Sequence, residues 1–160
     1  MYTTFHVKCV VKPEQRKLIS DLYNVDYGDS DVSMSDHPWE ILWRRNKPND
    51  WLLAWTLVNR CSQIPFGVTV GGTVPEAWHG EDVTDANHPW HTYDVDTGSW
   101  EFVCSLKNYG ATIDKFCQLV LSNVAESVET AECVYEEFVF DYDEGDYEAR
   151  DKRDLIQIGG

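Results

Sequence analysis

An α+β domain, mainly antiparallel sheet with two helices packed on one face, is the fold this chain of 160 residues should adopt. Three observations point there. Two segments alternate apolar and polar residues with the period of a strand. Each is followed by a helical stripe, which places a strand-turn-helix unit at either end. The middle between them is rich in aromatic and β-branched residues. A ferredoxin-like core with insertions fits this order.

The first unit begins at Thr3–Val11, where Phe5, Val7, Cys9 and Val11 share one face and His6 and Lys8 the other. Pro13 suits a first helical position, and Leu18, Ile19 and Leu22 give the following helix one apolar side. Residues 24–38 read as a polar, acidic loop. Residues 39–45 and 51–58 flank Asn46-Lys-Pro-Asn-Asp50 and suggest a hairpin, with a helix capped by Asn49 or Asp50 as the alternative for the second segment. Phe66–Val74 reads as a strand, with Gly71-Gly72 as a bulge or turn, and 75–98 as irregular chain.

The second unit starts at Trp100–Leu106, with Trp100, Phe102, Cys104 and Leu106 on one face. Asn108 can cap a helix whose stripe is Ile113, Phe116, Cys117, Val120 and Val124. Glu132–Phe140 is expected as the closing strand. The whole of 1–160 forms one domain on this view, and 141–160 its charged C-terminal tail.

Charge narrows function more than motif does. The formal net charge is −15, from 28 acidic and 13 basic residues, and the layout is uneven. Lys and Arg are absent from Cys61 to Leu106 and from Phe116 to Ala149, and the second window holds ten carboxylates between Glu126 and Glu148. Asp21–Asp36 carries five aspartates and no base. Direct binding to nucleic acid or an anionic membrane needs a concentrated positive field, so both are disfavoured. A basic protein surface is the favoured partner. No apolar run is long enough to span a bilayer, and the first residues lack a signal-peptide pattern. Five widely spaced cysteines suit a reduced, cytoplasmic chain better than a disulfide scaffold.

Carboxylates two residues apart on an extended segment lie about 6.5–7 Å apart, near the spacing of successive phosphates on a nucleic-acid strand. Asp29 with Asp31, and Asp141 with Asp143, have this spacing; Glu136, Glu144, Asp146 and Tyr142 extend the second set. These eight are the candidate partner-binding residues. No catalytic residue and no cofactor is expected, because nucleophile elbows, phosphate-binding loops and zinc templates are missing. The alternative is a small metal-dependent hydrolase using His79, His88, His91 and Asp85. A tryptophan-lined site for a small ligand is a third option.

Ser105-Leu-Lys-Asn-Tyr109, Ile113-Asp-Lys-Phe116 and Tyr135-Glu-Glu137 together resemble a pattern in small accessory proteins encoded by bacteriophages. The resemblance covers about the last third of the chain. It implies a phage origin, and a role in host takeover or in evading a defence system such as CRISPR, without fixing a mechanism. Combined with the charge, it points to an inhibitor that engages a host nucleic-acid-binding enzyme, as a mimic of nucleic acid.

Overall fold

The computed structural model describes residues 3–67, 90–108, 110–135 and 138–141. The α+β expectation holds. Among the described residues five strands form one antiparallel sheet: β1 (Thr3–Val11), β2 (Trp90–Tyr93), β3 (Ser99–Leu106), β4 (Ala125–Tyr135) and β5 (Phe138–Asp141), in the order β2-β3-β1-β4-β5. The first four follow the order of a ferredoxin-like sheet, with helical connections from β1 to β2 and from β3 to β4. β5 extends that sheet at the β4 side. The helices are α1 (Arg16–Tyr23), α2 (Pro38–Arg45), α3 (Asp50–Thr56), α4 (Thr112–Phe116) and α5 (Ser122–Val124). A π-helical stretch, Cys117–Leu121, joins the last two into one helical path.

The strand periodicity sets the core. Phe5, Val7 and Cys9 lie opposite Cys104, Phe102 and Trp100 on β3, and all six are buried. Leu18, Ile19 and Leu22 of α1 are buried, as are Ile113, Phe116, Cys117, Val120 and Val124. The N-cap position itself is Ala111, and Asn108 supplies the capping bond from farther out: its Oδ1 accepts the Ile113 amide at 2.8 Å. Each fully buried apolar side chain contributes about 1.5–3 kcal/mol relative to an exposed one. At one end of the central strands the second face is also buried, at Thr4, His6, Val103 and Ser105, which alternation alone does not suggest. Thr4 and Ser105 hydroxyls meet at 2.8 Å, and His6 Nε2 lies 2.7 Å from a Glu101 carboxylate oxygen.

Several expectations need correction. The hairpin expected of residues 39–45 and 51–58 gives way to helices α2 and α3, and for the second segment the alternative of a helix capped by Asn49 holds. The capping chemistry at their starts outweighs the β preference of their tryptophans. His37 Nδ1 accepts the Glu40 amide at 3.3 Å with Pro38 at the first helical position, and Asn49 Oδ1 accepts the Leu52 amide at 3.2 Å. Their buried residues, Trp39, Ile41 and Leu42, then Leu52 and Trp55, follow a helical spacing. The helices thus number more than the two expected.

The closing strand starts at Ala125 rather than Glu132 and is followed by a second strand, so β4 and β5 pair from Glu132–Asp141 to Tyr135–Phe138. β2 occupies part of the segment expected to be irregular, because Trp90–Tyr93 pairs with Val103–Trp100 across the Asp94–Gly98 turn. Phe66 and Gly67 lie at the end of a turn; the rest of the expected strand, 68–74, the 75–89 segment and the tail beyond Asp141 lie outside the described residues.

Candidate functional site

The acidic loop between α1 and α2 is largely neutralised from within. Asp29 and Asp31 do not form an extended ladder; they sit in turns and converge on one guanidinium. Arg45 contacts Asp29 at 3.2 Å and both oxygens of Asp31 at 2.8 and 2.9 Å. Arg44 holds Asp36 at 2.7 Å. Both arginines end α2, where cations also suit the helix dipole. The hydrogen bond from Arg45 is the main cause that holds Asp31 below the ordinary aspartate value of 3.8, and that from Arg44 does the same for Asp36. A carboxylate lowered in the folded state stabilises it above the unfolded value, and that contribution is lost as pH falls through the lowered one. In a carboxyl NMR titration, Asp31 and Asp36 should therefore titrate below 3.8. Arg45→Gln should move Asp31 up towards that value while Asp36 stays low; movement of Asp36 alone would contradict the assignment of partners.

The histidine cluster of the alternative reading is only partly described. His79, His88 and Asp85 lie outside the described residues. His91, on β2, stacks face to face on Tyr23, with ring centroids 3.9 Å apart and 13° between planes. Desolvation lowers its pKa from the ordinary 6.5. Among the described residues no group of three His, Cys, Asp or Glu is placed to hold a metal ion.

A second constellation is not apparent from spacing. Cys61 Sγ lies 3.9 Å from His37 Nε2, and Glu40 Oε2 lies 3.9 Å from the same nitrogen. Three arguments keep it from being a nucleophilic or metal centre. Burial pushes the Cys61 thiol up to about 11, so it stays protonated near neutral pH. Its hydrogen points towards the Thr56 carbonyl at 3.7 Å. Finally, His37 Nδ1 accepts the Glu40 amide, so the neutral ring carries its proton on Nε2. An Nε2–H can neither take the thiol proton nor ligate a metal. His37 is an N-cap here.

The remaining acidic surface follows β4. Glu126 and Glu129 are exposed, and Lys8 reaches Glu129 at 3.3 Å between two exposed side chains. Asp141 pairs with Glu132 across the β4–β5 ladder, so two acidic positions face each other in register. Of the other candidate residues, Glu136, Tyr142, Asp143, Glu144 and Asp146 lie outside the described ones.

A shallow pocket of about 270 Å³ opens between α1 and β2, lined by Ser20, Tyr23, Asn24, His91, Tyr93 and Val95. Another, of about 350 Å³, lies across Tyr23 and is bordered by Leu22, Val25, Tyr27, Pro38, Ser62 and Phe66. Tyr23 is thereby a shared wall, fixed by a 2.8 Å bond from Trp100 Nε1 to its hydroxyl. No helix among the described residues is long and apolar enough to cross a membrane. No family model matches the sequence, and no curated protein or solved structure matches it either.

Proposed function

We propose that this chain is an acidic binding protein that acts as an inhibitor by engaging a basic protein surface through its β4–β5 side. One observation carries the choice of side: Asp29, Asp31 and Asp36 of the α1–α2 loop are matched by Arg44 and Arg45, whereas the whole of β4 and β5 contains no Lys or Arg. Among the described ion pairs only Lys8 reaches β4. Further carboxylates follow directly after Asp141 in the sequence. A field of one sign concentrated on one side speeds the encounter with a surface of opposite sign, typically by 10–10³-fold at low salt. The partner class is a nucleic-acid-binding enzyme, whose groove is already basic and which a row of carboxylates occupies in place of phosphates. On this reading the protein works in the cytoplasm of a bacterial host and is phage-encoded.

The test is capture from a host lysate with the parent chain and with a variant in which Glu136, Asp141, Asp143, Glu144 and Asp146 become amides. The parent should retain a nucleic-acid-binding protein at low salt and release it at high salt, since screening acts beyond about 10 Å at 0.1 M. The variant should associate at least about tenfold more slowly with the purified partner. Equal retention and equal rates for parent and variant would reduce the acidity to a matter of solubility.

A further inference from the structure

We propose that the pocket between α1 and β2 receives an arginine side chain of the basic partner. The inference deepens the function proposed above and rests on it for the source of that arginine. The pocket itself supplies four reasons.

Size comes first. About 270 Å³ falls below the roughly 300–1,000 Å³ of sites for drug-sized ligands, and suits a single long side chain. Shape comes second. Tyr23, His91 and Tyr93 supply three rings, and Tyr23 and His91 are already stacked with 13° between their planes. His91 is exposed, so a planar guest can extend the stack on its outer face. Desolvation lowers its pKa, so the imidazole is neutral and does not repel a cation. Of the two permanent side-chain cations, arginine's guanidinium is planar and lysine's ammonium is not.

Hydrogen bonding comes third. Asn24 Nδ2 is committed to the Ser20 carbonyl at 2.6 Å, which turns its Oδ1 into an acceptor that no donor among the described residues uses. A guanidinium carries five donors and no acceptor, and matches such a site. Charge comes last. Val95 at the rim is flanked by exposed Asp94 and Asp96. Arg16 is the cation whose charge reaches Tyr93, and Asp94 opposes it. Its guanidinium is turned to the carbonyls of Val11 and Asp96, at 3.1 and 2.9 Å.

The experiment needs no natural partner. The full chain, at a pH above 6.5 so that His91 is neutral, is titrated with N-acetylarginine methylamide, with the lysine analogue and with the norleucine analogue. The readouts are NMR shifts of the His91 ring and of the Trp100 indole N–H, which reports on Tyr23. The arginine probe should give saturable shifts at both groups with a millimolar Kd, tighter than lysine, while norleucine gives none. His91→Ala, at an exposed position, should weaken the probe at least fivefold with the far-UV spectrum unchanged. Absence of a saturable shift up to about 50 mM, or an equal response to norleucine, would overturn the proposal. The two functions fail separately: probe binding that survives a failed partner capture leaves the pocket standing. A charge-dependent partner whose affinity ignores His91→Ala removes the pocket and keeps the acidic surface.

Discussion

Phe116→Ala should lower the unfolding free energy by about 3–5 kcal/mol, through lost burial and the cavity left behind. Phe116 is fully buried at the end of α4, and its position explains the size of the loss. Its ring meets Phe5 of β1 at 5.7 Å, Phe102 of β3 at 5.9 Å, Trp55 of α3 at 5.3 Å and Trp39 of α2 at 6.5 Å between centroids. Steep interplanar angles, from 68° to 89°, mark edge-to-face contacts, each adding about 0.5–1.5 kcal/mol beyond area alone. Four elements lose a shared neighbour at once, and rings on rigid helices and strands cannot collapse into the void. Urea unfolding measures it: the midpoint should drop with the slope unchanged. Phe116→Leu should recover most of the loss, because it restores much of the volume. A loss below about 1 kcal/mol for the alanine variant would mean that this helix face does not build the core.

Elements with one clear period were legible in the sequence. β1, β3, α1 and the Ile113–Val124 stripe each bury the residues that alternation or helical spacing selects. The tryptophan-rich segments were not, because Trp39, Trp43, Trp51 and Trp55 suit a pleated surface as well as a buried helix face. The deciding information lay in the caps, His37-Pro38 and Asn49, which act through one hydrogen bond each. Four residues of the motif quoted for the resemblance have structural roles among the described residues. Leu106 is buried, Asn108 caps α4, and Ile113 and Phe116 are core.

The candidate site was less legible, for a physical reason. Charge runs can be counted from sequence, but neutralisation depends on where a loop returns. Asp31 and Arg45 are fourteen residues apart, and no spacing rule joins them. Around β4 the sequence supplies carboxylates and no Lys or Arg, and Lys8 of the neighbouring strand pairs there with Glu129. The stack of His91 on Tyr23 joins β2 to α1 across a long insertion, and isolated aromatics in sequence give no sign of it.

Gly98→Ala should be the other large loss, and it tests how the β2–β3 turn is anchored. Gly98 sits at φ +79°, in the left-handed region where an L side chain costs about 1–2 kcal/mol. Its carbonyl accepts the Val11 amide at 2.7 Å and its own amide donates to the Asp94 carbonyl at 2.8 Å, so the turn is tied to the end of β1. A Cβ here would come within 2.5 Å of the Val11 carbonyl oxygen and 2.6 Å of Arg16 Nε. The arginine can swing away, but the carbonyl is backbone in the central strand and moves only with the sheet. Overpacking of this kind adds about 1–3 kcal/mol to the dihedral strain. Gly110→Ala provides the control: Gly110 has φ +72° and no atom within 4 Å of a built Cβ, so it carries the dihedral strain alone. Urea unfolding of the two variants should therefore give the larger loss at Gly98, and the difference isolates the clash with Val11. Equal losses would mean that β1 and the turn are not locked together, and that β2 is held to α1 by the stack of His91 on Tyr23 and the bond from the Tyr93 hydroxyl to the Arg16 carbonyl instead.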